Sequence, residues 1–440
     1  MPISLPRLGV AQQASKTAQS IGDALQNLGQ RALYQLKPAP LSPGDGTAMT
    51  RSVLPLNKTQ AVQGQFAGPR MLVVDNPESF QKPGVLGSTI NSIPGRGGGR
   101  TLFQGQGDVF ALANNRTGQP QRFQVAVYNP SDKPMTVTYT GSVYSHHVTK
   151  TDGKIPSGYA EGIFGGPHAV VGRAHLEAVN GKNGYQTVTV TIPPKSSGVL
   201  VDQYQEAGGE VFARGNITAR TADGKPASFG TAVVAMPNKL NAEQLKQLTD
   251  GTLAAAGVPS DYAPADKNRY GRPNGVTTGG GTFVGGRTID VSKPGGDTAD
   301  LVMATKLKNA GSTAEIAKLT GVPGNLQGAG TAATQDDGNY GVSYQLNYTL
   351  NNPSKQDREV QVLLTSPRSR PDEKHGPLGG EMTLPLRING NILNVRVDDR
   401  GDGVQLAKIK VPAGQSAQVF IDFTNFGNNF PPAGIEFRPK

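Results

Sequence analysis

The sequence predicts a mainly β protein: two tandem, related antiparallel β-sandwich domains with an N-terminal helix and short connecting helices. Three observations carry this. Short runs rich in Val, Thr, Phe and Tyr recur from about Arg70 onward, several of them strictly alternating. Glycine (58 residues) and proline (33) are abundant while only 17% of residues are charged, a balance that suits strands joined by many turns. Two landmarks occur twice, in the same order and at similar spacing.

From the N-terminus, residues 15–36 read as an amphipathic helix, with Ile21, Leu25, Leu28, Ala32 and Leu36 at helical spacing. The stretch Lys37–Gly46 ends it through three prolines, so residues 1–46 read as a helix on a Pro-rich tether, and helix 15–36 is a candidate for self-association or for docking to a partner. The first sandwich is expected over residues 68–240. Its strands are Pro69–Val74, Gly107–Asn114, Gln121–Asn129, Met135–Tyr144, Tyr185–Pro193, Gly198–Tyr204, Val211–Thr221 and Phe229–Met236. Residues 241–286 read as a helix followed by a Gly/Pro-rich linker. Asn241 and Gln244 form a capping box for a helix over 241–256, and the stretch 257–286 reads as a partly flexible connection. A second short helix is signalled by Ser312 and Glu315. The second sandwich is expected over residues 287–440, with strands Asn339–Asn351, Glu359–Ser366, Glu381–Ile388, Ile392–Asp398, Val404–Pro412 and Ala417–Phe423.

The repeat rests on two landmarks. Asn129-Pro130-Ser131 is followed by Val137, and Asn352-Pro353-Ser354 by Val360, an offset of 8 from Asn to Val in each. Ile192-Pro193 precedes Ser197, and Val411-Pro412 precedes Ser416; the prolines of the two landmarks lie 63 and 59 residues apart. Asn-Pro-Ser suits a turn, because proline presets φ and the Asn and Ser side chains bond local backbone. The repeat predicts that residues 129–204 and 352–423 superpose.

The absence of cysteine excludes disulfides, thiolate metal sites and cysteine nucleophiles. The net charge of +10 is dispersed: residues 1–60 carry six basic and two acidic residues, and the remaining excess is spread over the rest of the chain. No basic stripe with interleaved aromatics marks a specific nucleic-acid site, so the partners left by charge are an anionic polymer or a cell-surface glycan. No stretch has the length of a transmembrane helix, and residues 1–20 lack the charged and apolar regions of a signal peptide.

Several segments together resemble a known family: Gly68–Ile90, Phe103–Asn114, the Asn-Pro-Ser turn, Ile192–Asp202 and Gly338–Ser354. That family is bacterial, common in cyanobacterial genomes, and is known only as a domain of unknown function, the 3370 family. The resemblance implies an extracellular or cell-envelope placement and carries no activity.

Candidate sites are few. Asp398, Asp399 and Asp402 line a Gly-containing loop with the oxygen ligands calcium uses, although a tight hairpin turn accounts for the loop without metal. Tyr144, Tyr159 and Tyr185 are candidate ligand platforms, with core packing the competing reading. His146, His147, His168 and His175 share a region without metal-ligand spacing, and His375 lies apart. No nucleophile elbow, zinc-protease motif or phosphate loop is present. No catalytic residue, cofactor or resident metal is expected. The function expected is therefore a non-enzymatic structural or surface-associated binding protein. A carbohydrate- or matrix-binding module, a coat or filament subunit assembling through helix 15–36, and a polysaccharide-active enzyme are the alternatives.

Overall fold

The computed structural model describes residues 41–43, 49–51, 59–75, 79–91, 100–147, 176, 186–257, 274–303, 319–320, 335–336, 339–365, 382–397, 402–426 and 433–440. The expected helices at 15–36 and near Ser312 lie outside these residues.

The chain opens with β1 (Leu41–Pro43), β2 (Met49–Arg51), β3 (Thr59–Ala61) and the long β4 (Gly64–Val74). Next come β5 (Ser79–Phe80), β6 (Gly84–Ser88), β7 (Phe103–Gln104), β8 (Gln106–Asn115), β9 (Gln121–Tyr128) and β10 (Met135–His147). They are followed by β11 (Gln186–Ile192), β12 (Ser197–Gln205), β13 (Gly209–Thr221), β14 (Ser228–Met236) and helix α1 (Ala242–Asp250). Beyond the helix lie β15 (Asn274–Gly285), β16 (Thr288–Asp290), β17 (Thr298–Met303), β18 (Leu319–Thr320), β19 (Gln335–Asp336) and β20 (Ser343–Asn352). The chain ends with β21 (Arg358–Thr365), β22 (Met382–Ile388), β23 (Asn391–Val397), β24 (Asp402–Val411), β25 (Gln415–Thr424) and β26 (Ala433–Pro439). All fourteen strands expected from the sequence fall on strands of this series. The mainly β class is therefore correct, and α1 is the one regular helix among the described residues.

Hydrogen bonding links ten strands edge to edge in the order β11–β10–β13–β8–β4–β15–β20–β25–β22–β23. A second layer, β12–β9–β14–β6, faces one end of this long sheet and joins it where the first residues of β14 pair with β7. A third sheet faces the other end, with order β24–β21–β26–β17–β3 and with β1 and β2 both paired to β24. One buried cluster draws on the long sheet and the second layer, including Val109, Ala111, Phe123, Val125, Ile217 and Phe229. The other draws on the long sheet and the third sheet, including Tyr344, Tyr348, Val362, Ile409, Ile421 and Phe437.

Strands β8 and β13, and β4 from residue 71 to 74, are buried on both faces. Leu72, Val109 and Val211 enter the first cluster, whereas Met71, Phe110 and Phe212, on the opposite face, enter the second. This explains the unbroken apolar run in Gly107–Asn114, since a strand covered on both sides has no reason to alternate.

The stretch read as a Gly/Pro-rich linker holds the strand that joins the two halves of the long sheet. β15 pairs antiparallel with β4 and parallel with β20. Its triple glycine permits a close crossing: a Cβ on Gly280 would lie 1.8 Å from the carbonyl oxygen of Ala67. The tether read around Lys37–Gly46 likewise contributes β1, which pairs with β24 in the third sheet.

Helix α1 begins at the expected capping box. Asn241 Oδ1 accepts from Gln244 N at 2.9 Å, and Asn241 N donates to Gln244 Oε1 at 3.1 Å. It ends sooner than 256, at Gly251, whose φ of 77° is the left-handed cap that favours glycine. Leu248 of the helix and Leu253 beyond it cover Ala126, Tyr128 and Val234 on the outer face of the second layer.

Candidate functional site

The structure places few of the residues singled out above. Tyr144 lies on β10 in register with Phe212, and His146 and His147 follow in register with Glu210 and Gly209. Asp402 opens β24 in register with Arg51. Tyr159, Tyr185, Asp398, Asp399, His168, His175 and His375 lie outside the described residues. Among the described residues no group of three or more His, Cys, Asp or Glu stands where it could hold a metal.

The Asn-Pro-Ser landmarks have a structural task. β9 and β10 belong to facing sheets, so the turn between them is an arch across the core; β11 to β12 is a second arch beside it. Asn129, fully buried, joins the two. Its Nδ2 donates to the carbonyls of Lys133 (2.8 Å), Ile192 (3.1 Å) and Pro193 (3.1 Å), and its Oδ1 accepts from Ser131 N and Oγ at 3.0 and 2.7 Å. Asn352 repeats the set. It donates to Gln356, Val411 and Pro412 at 2.8, 3.0 and 3.2 Å, and accepts from Ser354 N and Oγ at 3.2 and 2.7 Å. The two landmarks therefore co-occur because one side chain bonds both.

Registers around the two residues agree as well. Met135 pairs with Ile192 as Arg358 pairs with Val411, and Tyr128 pairs with Ser197 as Asn351 pairs with Ser416. Lys195 N donates to Ser131 O as Gly414 N donates to Ser354 O, at 3.1 and 3.0 Å. Both Lys195 and Gly414 have positive φ, 52° and 68°. A further turn, at Asn115, uses the same local bonds to Thr117 and Gln119, so the turn alone is a general device, and the shared registers are the more specific feature.

Most of the described buried charges bridge separate segments of the chain. Arg214 on β13 meets Asp108 on β8 at 2.7 Å, with both side chains under one tenth exposed, and its Nε donates to Gly341 O at 3.0 Å. Asn216 Nδ2 also donates to Asp108, at 2.9 Å. This polar knot lies on the face of β8 and β13 turned toward the second cluster. Deeper in that cluster, Arg287 Nε donates to both oxygens of Asp300 at 2.9 and 3.1 Å, and Gln60 Nε2 donates to Asp300 Oδ1 at 3.1 Å. Burial raises the Asp300 carboxyl above its ordinary range against the opposing pull of Arg287. Burial, reinforced by the Asp300 charge, pushes the Tyr348 phenol well up. Glu436 and Arg438 form another buried pair on β26.

One broad face presents polar groups outward instead. On β20, Tyr344, Leu346, Tyr348 and Leu350 point into the core, so Gln345, Asn347, Thr349 and Asn351 point out, with Asn347 exposed and the others half-buried. A cross-strand row runs through register partners: Gln65 on β4, Val284 on β15, Gln345 on β20, Asp422 on β25 and Arg387 on β22. Val284 is 40% exposed. Five strands at ordinary spacing make this row about 19 Å wide. The next row holds Asn347 opposite Phe420, whose backbone is tied to Asn389 in both directions: Phe420 N donates to Asn389 Oδ1 at 2.7 Å, and Asn389 N donates to Phe420 O at 2.9 Å. Gln418 and Thr349 bond each other at 3.0 Å. Arg387 and Asp422 neutralise one another at 2.7–2.8 Å, although burial raises the Asp422 carboxyl. Sequence reasoning missed this face; its signal was the polar half of the alternation in Tyr-Gln-Leu-Asn-Tyr-Thr-Leu-Asn, residues 344–351.

Comparison with known proteins adds a family and little else. No curated protein matches the chain. Among solved structures it is similar to the T=1 Penaeus vannamei nodavirus, at 7% identity over 74% of this chain and 82% of that one, with a TM-score of 0.15. It is also similar to tripeptidyl peptidase 2, at 8% identity over 85% of this chain and 27% of that one (TM-score 0.19), and to Lac15 from a marine microbial metagenome, at 11% identity over 76% and 51% (TM-score 0.11). Scores this low carry no argument about fold or function. The family model described as a protein of unknown function (DUF3370) matches residues 57–378, well over half of the chain, and the protein belongs to that family.

Proposed function

We propose that the protein is a non-enzymatic, surface-associated binding scaffold, and that its two cores are related, duplicated units. The observation that supports the scaffold reading is the division of polar groups. Buried ion pairs between β8 and β13 and between β22 and β25, with the clasp amides, tie separate parts of the framework together, while neutral side chains such as Gln345 and Asn347 point outward from one sheet face. That arrangement serves presentation of a stable surface. The matched registers around Asn129 and Asn352 support the duplication.

Fractionation of native cells combined with sizing tests the scaffold reading, alongside turnover assays on polysaccharide and peptide substrates. The expected result is protein in the envelope or extracellular fraction without turnover. Robust turnover abolished by one point substitution overturns the reading. A concentration-dependent oligomer lost on deleting residues 1–36 would instead mark an assembly subunit.

A further inference from the structure

We infer that the buried amides of Gln121 on β9 and Gln205 on β12 form a site for one water molecule bridging them, an inference that goes beyond the scaffold reading and does not depend on it. The two residues are register partners on adjacent strands of the second layer. Gln121 alternates with Phe123 and Val125 on the side of β9 that faces the first core, and Gln205 stands opposite it on the same side. They are 2% and 0% exposed. Opposed residues of an antiparallel pair have Cβ atoms about 4.5–5.5 Å apart, so the two amides are neighbours.

Each amide is fixed through its nitrogen. Gln205 Nε2 donates to Ala113 O on β8 at 2.9 Å and to Gly209 O on β13 at 2.8 Å. Turning this amide over would aim its oxygen at two carbonyl oxygens, so its orientation is set. Gln121 Nε2 donates to Thr117 Oγ1 at 3.1 Å and Gln119 O at 3.4 Å, in the turn that Asn115 organises. Both Oε1 atoms are thereby left buried, and neither has a hydrogen-bond donor among the described residues. A buried acceptor without a donor keeps its full desolvation cost. Two such acceptors on facing residues call for a ligand with two donors, and water has two. Bonds of about 2.8 Å from one water oxygen span a gap of this size. The groups that hold the amides are neutral, a hydroxyl and three backbone carbonyls, so a cation in the same place would be buried without a counter-charge from them.

The second core supplies the contrast. Tyr344 stands eight residues before Asn352, as Gln121 stands eight before Asn129. Its register partner is Phe423, and the two rings stack at 4.5 Å. The place that holds two amides in the first core is thus filled by apolar rings in the second. The water is therefore specific to the first core, where it completes a polar bridge from the turn at Asn115 through β9 and β12 to β8 and β13.

Diffraction from crystals of the full chain, at a resolution that shows ordered water, tests the site. One water is expected within about 2.6–3.2 Å of both Oε1 atoms, and none between Tyr344 and Phe423. Crystals soaked in a thallous salt should show no anomalous peak between the two glutamines. The double variant Gln121→Met with Gln205→Met should lose the water; should that variant fail to fold, the native crystal still decides. A dry gap, a water bonded to only one of the two oxygens, or a water retained in the double variant would overturn the inference. A thallium peak there would overturn it in favour of a monovalent cation. The scaffold reading survives each of these outcomes and falls only to turnover.

Discussion

At the scale of single residues, two asparagines and one aspartate concentrate the consequences. Asn129 is itself fully buried and its amide joins the buried Ile192 carbonyl to the turn carbonyls of Lys133 and Pro193, so Asn129→Ala is expected to lower stability by about 2–3 kcal/mol. Asn352→Ala should cost a similar amount, because its bonds match one for one. The two sites share no partner, and the double variant should be additive within about 0.5 kcal/mol by urea denaturation. A marked difference between the two losses would argue against equivalent units. Asp300 makes a prediction in pH. Its carboxyl is raised in the folded protein by burial, so folding favours its protonated form. Its contribution is fully present below the ordinary carboxylate range and is lost as pH rises through the raised folded value. Asp300→Asn cannot titrate, so the stability of the native protein relative to this variant should fall as pH increases through that window, measured from urea midpoints at successive pH values.

At the scale of elements, the decisive pair is β4 with β15. They form a ribbon whose one half lies beside β8 and whose other half lies beside β20. Gly280 lies where their backbones approach too closely for any Cβ. Gly280→Ala should therefore destabilise by about 1–3 kcal/mol or more through forced backbone displacement, read as a lower thermal midpoint. Helix α1 is a more modest element: it covers the outer face of the second layer, and its capping box makes Asn241→Ala worth about 1 kcal/mol. The capping box was legible because it is a local pattern of four residues. The role of β15 was not, because glycine repeats read equally as a linker, and only the partner backbone at Ala67 explains why side chains are excluded.

For the whole molecule, the knot of Arg214, Asp108, Asn216 and Gly341 ties β8 and β13 to the turn before β20. Gly341 has a φ of 78°, and a Cβ there would lie 2.3 Å from the Phe110 ring, so the turn before β20 lies directly against the back of β8. Arg214→Leu would leave Asp108 buried beside Asn216 without its cation, expected to cost about 3–5 kcal/mol. Replacing Asp108 with Leu as well should recover part of that loss. Calorimetry should show one cooperative transition for the native protein and two for Arg214→Leu, if the knot is what makes the cores melt together. A single unsplit transition in the variant would assign the coupling to the shared sheet alone.

What the sequence by itself determined was local. Short runs rich in Val, Thr, Phe and Tyr, several of them alternating, located the strands, turn chemistry located the arches, and four residues marked the start of α1, because each of these depends on neighbours within a few positions. The tertiary structure decided which strands meet. It turned a glycine-rich stretch into the strand between two cores, brought β1 from the proline-rich stretch against β24, and buried both faces of β8. It also made Asn129 and Asn352 clasps between landmarks about sixty residues apart. Pairing partners and the covering of each face are set by backbone from distant parts of the chain, and a side-chain period carries no record of them.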